Sequence, residues 1–167
     1  MQFNSLQDLY LAELKDLYDG ENRIIKALPR MAEAANSQDL RSALQEHLQQ
    51  TRVHAQRLEQ IFGTLNESAK GEKCKGLEGI IDEGKDVIDK VDDSPAAVAD
   101  AAIIAAAQRV EHYEIAAYGT VRTFARRLGF EDQARLLDQT LQEEGETDKK
   151  LTTLAESYIN EGAKSAR

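Results

Sequence analysis

Apolar residues recur every three or four positions along four long segments of the chain, which predicts four amphipathic helices. Their predicted bounds are about 5–35, 38–62, 95–128 and 131–160. Ser5 and Ser37 are expected to cap the first two helices, and Ser94 is expected to cap the third, with Pro95 as its first helical residue. Pro29 is expected to kink the first helix. At about 1.5 Å per residue, each helix spans roughly 40 Å.

The connections between these helices differ greatly in length. Only a few residues join the first helix to the second and the third to the fourth, so each pair is predicted to form an antiparallel hairpin. The connection over 63–94 is long and polar at first, but its second part, "LEGIIDEGKDVIDKV", has apolar residues at helical spacing and predicts a short helix at about 76–91. Two hairpins joined by one long crossover is the topology of ferritin-like four-helix bundles. An up-and-down bundle with a decorated loop is the alternative.

Each inward-facing stripe is apolar at both ends and polar near its middle. The polar positions, in chain order, are Glu21, His47, Thr51, His54, Glu111, Glu114, Glu144 and Asp148. Because helices of similar length bring their midpoints to one level, we expect these side chains to meet in a single layer. Buried carboxylates need a partner or a cation, and no Lys or Arg falls on the inner stripe at this height. Mixed glutamate and histidine sets suit iron, manganese or zinc.

Each polar residue also has a purely structural interpretation. A single glutamate can reach water from the edge of a stripe, a buried histidine can be a core residue, and Thr51 can bond the backbone one turn earlier. The coincidence in all four helices favours a designed polar centre. His112, between Glu111 and Glu114, is rotated off the stripe and is not expected to be a ligand. The remaining acidic residues, predicted to form a solvated face, include Glu13, Glu46, Glu59, Glu143 and Glu146.

Composition narrows the possible functions. The chain has 167 residues, a formal charge of −9 and no long basic block, which argues against nucleic-acid and anionic-membrane partners. Cys74 is the single cysteine, so no intrachain disulfide forms, and its place in a polar, lysine-flanked connector argues against a nucleophile. With no signal-like or membrane-spanning segment, a cytoplasmic location is expected. Haem ligation is disfavoured because Met1 and Met31 are the only methionines.

Four segments carry a resemblance to a known family. They are "LYDGENRIIKALPRMAEAA", "EHLQQTRVHAQRLEQIFG", "AAAQRVEHYEIAAYGT" and "LDQTLQEEGETDKKLTTLAE". Together they resemble the bacterial YciF-like family of ferritin-like proteins, and "RVEHYEIAAYGT" is the most specific part. The resemblance covers essentially the whole chain, as a single domain. It implies a di-metal centre, a homodimer and an association with stress responses.

The match to the broad di-iron pattern is partial. That pattern has a glutamate on the first and third helices and Glu-x-x-His on the second and fourth. Glu21 fits the first place, and Glu111-x-x-Glu114 is a doubled carboxylate of the kind seen in rubrerythrin-like proteins. The second helix instead has Thr51-x-x-His54.

The departure continues on the last helix. There Glu144 is followed by Asp148, with no histidine. Gln50 adjoins the place on the second helix where a bridging glutamate is expected.

Two functional hypotheses follow. In the first, an oxidoreductase-like centre of two iron or manganese ions acts on Fe(II) or a small oxidant such as peroxide, without haem or a nucleotide cofactor. Its predicted metal ligands are Glu21, His47, His54, Glu111, Glu114, Glu144 and Asp148. Around them we expect Tyr18, Gln50, Thr51, Tyr113 and Tyr118, although the tyrosines are also explained as core or interface aromatics. In the second hypothesis, a non-catalytic dimeric stress-response protein keeps a vestigial or structural polar site.

Overall fold

The protein is built from helices, as the stripes predict. The structure, a computed structural model, describes residues 3–71 and 73–166, and these contain no β-strand. The elements are α1 (Leu6–Ala34), α2 (Gln38–Leu65), α3 (Lys75–Val91), α4 (Ala96–Arg127), α5 (Glu131–Leu154), a π-helical turn (Ala155–Ile159) and α6 (Asn160–Ser165). The all-α prediction is confirmed. No helix in the described part of the chain is long and apolar enough to cross a membrane.

The helix starts follow local capping chemistry, with one exception. Ser5 Oγ accepts from Asp8 N at 3.0 Å, and Ser37 Oγ accepts from Leu40 N at 3.4 Å. The prediction that Ser94 caps α4 is wrong. Pro95 itself is the last non-helical residue, with ψ 136°, and its carbonyl accepts the first helical hydrogen bonds, so no side chain caps this helix.

The last long helix differs from its predicted single span. Its regular α-helix ends at Leu154, widens into a π-helical turn, and then resumes as α6 through Ser165. Tyr158 lies on this wider turn and is exposed. The extra residue in the turn rotates the final stretch relative to α5.

The helices form two antiparallel hairpins, α1–α2 and α4–α5, with α1 against α4 and α2 against α5. One apolar cluster joins the N-terminal halves of α1 and α5 to the C-terminal halves of α2 and α4. Every neighbouring pair is therefore antiparallel, while α2 and α4 run in the same direction. The connection between them must return along the bundle, which confirms the ferritin-like topology and excludes the up-and-down alternative.

Helix α3 lies on this return path, packed against α1 and α4. Its start is held by Cys74, whose backbone N–H donates to Asp19 Oδ2 at 2.9 Å. Cys74 lies in the connector before α3, as expected, but its side chain is fully buried and accepts a hydrogen bond from Leu77 N. Burial raises the pKa of this thiol to about 11, which disfavours a nucleophilic thiolate. Gly20 permits the close approach, since a Cβ there would lie 2.4 Å from Leu77 Cδ1.

Two apolar clusters occupy opposite ends of the bundle. The first includes Tyr10, Leu14, Leu58, Val121 and Leu137. The second, which α3 covers, includes Ile24, Leu44, Ile81, Ile103 and Leu151. The level between the two clusters is occupied by the polar residues described next.

Candidate metal centre

Six buried ionisable side chains meet between the two apolar clusters. Each is at most 2% exposed, and together they are Glu21, His47, His54, Glu111, Glu114 and Glu144. All four long helices contribute, because each helix places its polar midpoint at the same level. The structure thus brings together six of the seven predicted metal ligands.

These side chains fall into two overlapping groups. One group is His47, Glu111, Glu114 and Glu144, and the other is Glu21, His54 and Glu144. Within each group, one potential ligand atom from every residue lies within 4.8 Å of the others. Glu144 belongs to both groups, so its carboxylate lies between two adjacent candidate cation sites.

The carboxylates of this layer have few hydrogen-bond donors. Among the described residues, both oxygens of Glu114 and Glu144 and one oxygen each of Glu21 and Glu111 are buried without a hydrogen-bond partner. Leaving a buried acceptor unsatisfied costs about 1–3 kcal/mol, and more when it is charged. Native interiors contain few such atoms, so their concentration in one layer makes this layer a candidate cation site.

Each of the two histidines lies within ion-pair distance of a buried carboxylate of the layer. His54 Nδ1 lies 2.8 Å from Glu144 Oε1, and His47 Nε2 lies 3.2 Å from Glu111 Oε1. Although these distances are short, neither nitrogen has the alignment of a hydrogen bond to a described residue. These nitrogens and the nearby carboxylate oxygens are close enough to serve as ligands of a shared cation.

Burial dominates the electrostatics of the layer. Desolvation raises the pKa of Glu21 to about 7 and that of Glu111 to about 8, and it raises the pKa of Glu114 well above its ordinary value. Fully ionised, the four glutamates carry four negative charges, and two divalent cations carry four positive ones. The residues therefore fit a pair of divalent ions in charge, in donor type and in unsatisfied bonding capacity.

A pair of residues outside the layer orients His54. Its Nε2 lies 2.7 Å from Glu143 Oε2, and Arg57 donates to both oxygens of Glu143 at 2.6 and 2.9 Å. When the ring is neutral and Nε2–H donates to Glu143, Nδ1 is the lone-pair nitrogen, and it faces Glu21 and Glu144. Burial opposes the charged form of this ring, but Glu144, Glu21 and Glu143 together raise the pKa of His54 to about 9.

Glu143 corrects the sequence prediction. We expected it on the solvated face, but its side chain is only 29% exposed, because α2 brings Arg57 and His54 against it. The bond to Arg57 lowers the pKa of Glu143. The only sequence signal for this contact was the spacing of Arg57, three residues after His54 and thus on the same side of α2.

Helix α5 places a threonine where the di-iron pattern has a histidine. Thr147, three residues after Glu144, is buried, and its hydroxyl lies 3.5 Å from His47 Nδ1 and 3.4 Å from Gln50 Oε1. The placement of Asp148 on the inner stripe is wrong. The inward spacing after Glu144 is three residues and not four, so Asp148 lies at the edge and bonds Gln108.

Other predicted residues have varied positions. Thr51 Oγ1 donates to His47 O at 2.8 Å, which confirms its predicted backbone bond. Thr51 is buried in the layer, so at this position α2 contributes a hydroxyl where the di-iron pattern has a carboxylate. Tyr118 is buried and its hydroxyl donates to Glu21 Oε1. Tyr18 points away and bonds Glu59 at the surface.

The two residues between Glu111 and Glu114 in the sequence, His112 and Tyr113, lie outside the layer. Tyr113 OH donates to Asp16 Oδ2 at 3.0 Å and lies 3.4 Å from Cys74 Sγ, on the side covered by α3. His112 is 70% exposed and contacts Asp148 at 3.2 Å, as expected for a residue off the inner stripe.

The comparisons with known proteins place this chain in a family. Residues 5–164 match the family model described as "Domain of unknown function (DUF892)". The chain belongs to this family. Protein YciF of Escherichia coli (strain K12) is 40% identical over 164 residues, which are 98% of this chain and 98% of that protein. The YciF-like resemblance seen in the sequence is thereby confirmed.

Solved structures of the family support the same conclusion. The crystal structure of the E. coli stress protein YciF matches with a TM-score of 0.89 and 40% identity, over 95% of this chain and 99% of that one. YcfI from Rhodopseudomonas palustris matches with a TM-score of 0.86 and 41% identity, over 90% and 94%. A protein of Xanthomonas campestris pv. campestris has 19% identity and a TM-score of 0.73, over 95% and 96%, and shares the fold.

The contact that orients His54 makes a first prediction. Glu143→Gln removes the charge that holds the His54 ring and Arg57, so we expect Mn(II) to bind the metal-free chain about 10–100-fold more weakly. Calorimetric titration measures this change. Glu146→Gln, an exposed position on the same helix, is the matched control and should bind as the wild type does. Equal affinities for the two variants would contradict the assigned role of Glu143.

The pKa shifts make a second prediction, for the metal-free chain. The folded state holds protons on Glu21 and Glu111 that the unfolded state releases. Their contribution to the free energy of unfolding is complete below the ordinary pKa of 4.5 and is lost as the pH rises through about 7 and 8. His54 acts in the same direction, whereas the lowered pKa of His47 has the opposite effect below 6.5.

Urea denaturation of chelator-treated protein should therefore show a lower free energy of unfolding at about pH 8 than at about pH 5. Saturating Mn(II) should reverse this trend, because cations bind the deprotonated ligands. A metal-free chain that becomes more stable over the same interval would contradict the burial of protonated glutamates.

Proposed function

We propose that this chain binds two divalent transition-metal ions, iron or manganese, at the level between its apolar clusters. The observation that carries the proposal is the set of buried glutamate oxygens without hydrogen-bond partners, which belong to two groups of potential ligands that share Glu144. Carboxylate oxygens with one imidazole nitrogen in each group suit Fe(II) and Mn(II). Zinc prefers a four-coordinate site with fewer carboxylates.

The two candidate sites differ in their donors. Glu21, His54 and Glu144 would hold one ion. His47, Glu111, Glu114 and Glu144 would hold the other. In this assignment α2 supplies both nitrogen ligands. His47 replaces the histidine that the di-iron pattern has on the last long helix, where this chain has Thr147.

We further propose that Fe(II) is a substrate of this site and is oxidised there. Iron can supply one-electron redox chemistry, and the chain supplies a dry, rigid cage around it. Tyr118 fixes Glu21 through its hydroxyl, and Glu143 with Arg57 fixes His54. The glutamates with raised pKa values give up their protons when cations bind, so binding is expected to tighten as the pH rises. The relation to the E. coli stress protein accords with a role in handling reactive iron.

A structural role without turnover is the second candidate. Thr51 stands where the di-iron pattern has a bridging glutamate, so Glu144 is the single carboxylate common to both groups of described residues. With one bridge in place of two, the ions would be less tightly coupled. YcfI of R. palustris, a relative of this chain, is itself described as a candidate structural protein.

The decisive variant is Glu144→Gln, which keeps the side-chain shape and removes the shared charge. Wild-type chain freed of metal should bind two Fe(II) ions without oxygen and, on exposure to oxidant, form Fe(III) faster than the same buffer does. Glu144→Gln should weaken Fe(II) binding by more than about 100-fold, which exceeds the roughly 10–100-fold loss expected when a residue that only orients a ligand is changed. It should also abolish the acceleration of Fe(III) formation by the protein. Absorbance of Fe(III) and elemental analysis measure both effects.

Each other outcome has a defined meaning. Binding of two ions with no acceleration would favour the structural role over oxidation. A wild type that binds neither Fe(II) nor Mn(II) would refute the metal site itself. Glu146→Gln again serves as the control for a lost surface charge.

A further inference from the structure

A narrow cavity lies beneath α3, between this helix, α1 and α4. Its volume is about 100 Å³. Its walls are aliphatic, and they include Ile24, Leu28, Met31, Ile81, Ile88 and Ala107. This cavity lies within the second apolar cluster, and nothing in the proposed metal site accounts for it.

The two ends of the cavity have different chemistry. The inner end is formed by His47 and Glu111, each of which is buried and carries an unpartnered polar atom. The outer end is rimmed by Lys26, Arg30 and Lys85. The cavity therefore connects the protein surface to one of the two candidate ion sites.

Size and polarity restrict what can pass through it. An apolar cavity of about 150 Å³ accepts benzene or xenon, so this smaller one has room for only a few heavy atoms. Hydrogen peroxide would lose its hydrogen bonds to water against these walls, at about 2–7 kcal/mol per unsatisfied polar group. Dioxygen makes no such bonds to water, so it enters an aliphatic cavity without this cost.

We propose that this cavity is the route by which dioxygen, in preference to hydrogen peroxide, reaches the metal centre. The proposal rests on the function proposed above, and it identifies the oxidant. In the overall reaction, two Fe(II) ions lose one electron each. One dioxygen molecule takes both electrons and two protons, and hydrogen peroxide leaves.

Two glycines of α3 provide a matched test. Gly84 is buried and lines the cavity, and a Cβ there would meet only Ala106 Cβ at an ordinary 3.9 Å, so Gly84→Leu should fill the cavity. Gly79 is exposed with nothing within 4 Å of its added Cβ, so Gly79→Leu gains the same helix propensity without touching the cavity. Ile88→Ala enlarges the cavity and is the opposite change.

The first measurement is xenon binding in pressurised crystals of metal-free protein, detected by anomalous diffraction. Xenon should occupy the space between α1, α3 and α4 in the wild type, Gly79→Leu and Ile88→Ala, and it should be lost in Gly84→Leu. A wild type without xenon there would overturn the route.

The second measurement compares oxidants. Gly84→Leu should slow Fe(II) oxidation by dioxygen several-fold and leave oxidation by hydrogen peroxide unchanged, while Gly79→Leu keeps both rates. Equal loss with both oxidants, or no loss with dioxygen, would overturn the route. A chain that binds xenon but does not oxidise Fe(II) would refute the proposed function and the route with it. Rapid oxidation that Gly84→Leu does not alter would refute the route alone.

Discussion

The desolvation of four glutamates at one level of the bundle is the interaction on which the rest of the structure depends. Glu21, Glu111, Glu114 and Glu144 are each at most 1% exposed, and few donors reach them. Without cations, the layer is tolerated because burial raises the pKa values and favours protonated side chains. The apolar clusters on either side, stabilised by about 25 cal/mol per Å² of buried surface, hold the helices together across it.

Side chains or a helix cover the polar layer on two sides and shield it from solvent. At one side, Arg57 and Glu143 cover His54 and fix the direction of its ring. At the other, α3 packs over α1 at Gly20 and covers the aliphatic cavity that leads to His47. Water is thus excluded from the glutamates, while a small apolar molecule retains a path to them. In this arrangement α3 acts both as the crossover of the fold and as the wall that determines access.

The helical pattern was sufficient to predict the bundle and the level of the polar layer. Stripes with a period of three to four residues set the helix faces, and equal lengths with antiparallel neighbours aligned Glu21, Glu111 and Glu144. The pattern could not decide which of two adjacent residues on α5 faces inward, because both a three-residue and a four-residue step keep a side chain on the same face. Asp148 was placed inward for this reason, and the structure has Thr147 there.

Other errors came from contacts between distant segments. The sequence predicts Glu143 at the surface, but in the structure Arg57 of α2 packs against it and forms an ion pair. Cys74 stands among lysines in the chain, yet Gly20 lets it pack into the core, and no local pattern contains that information. The ligand role of the six clustered residues remains a prediction that needs a direct test.

The most direct test is anomalous diffraction from crystals of this chain loaded with Mn(II). The account predicts two peaks on either side of the Glu144 carboxylate, one beside Glu21 and His54 and the other beside His47, Glu111 and Glu114. A single peak or none at this level, with manganese bound only at surface carboxylates, would contradict it.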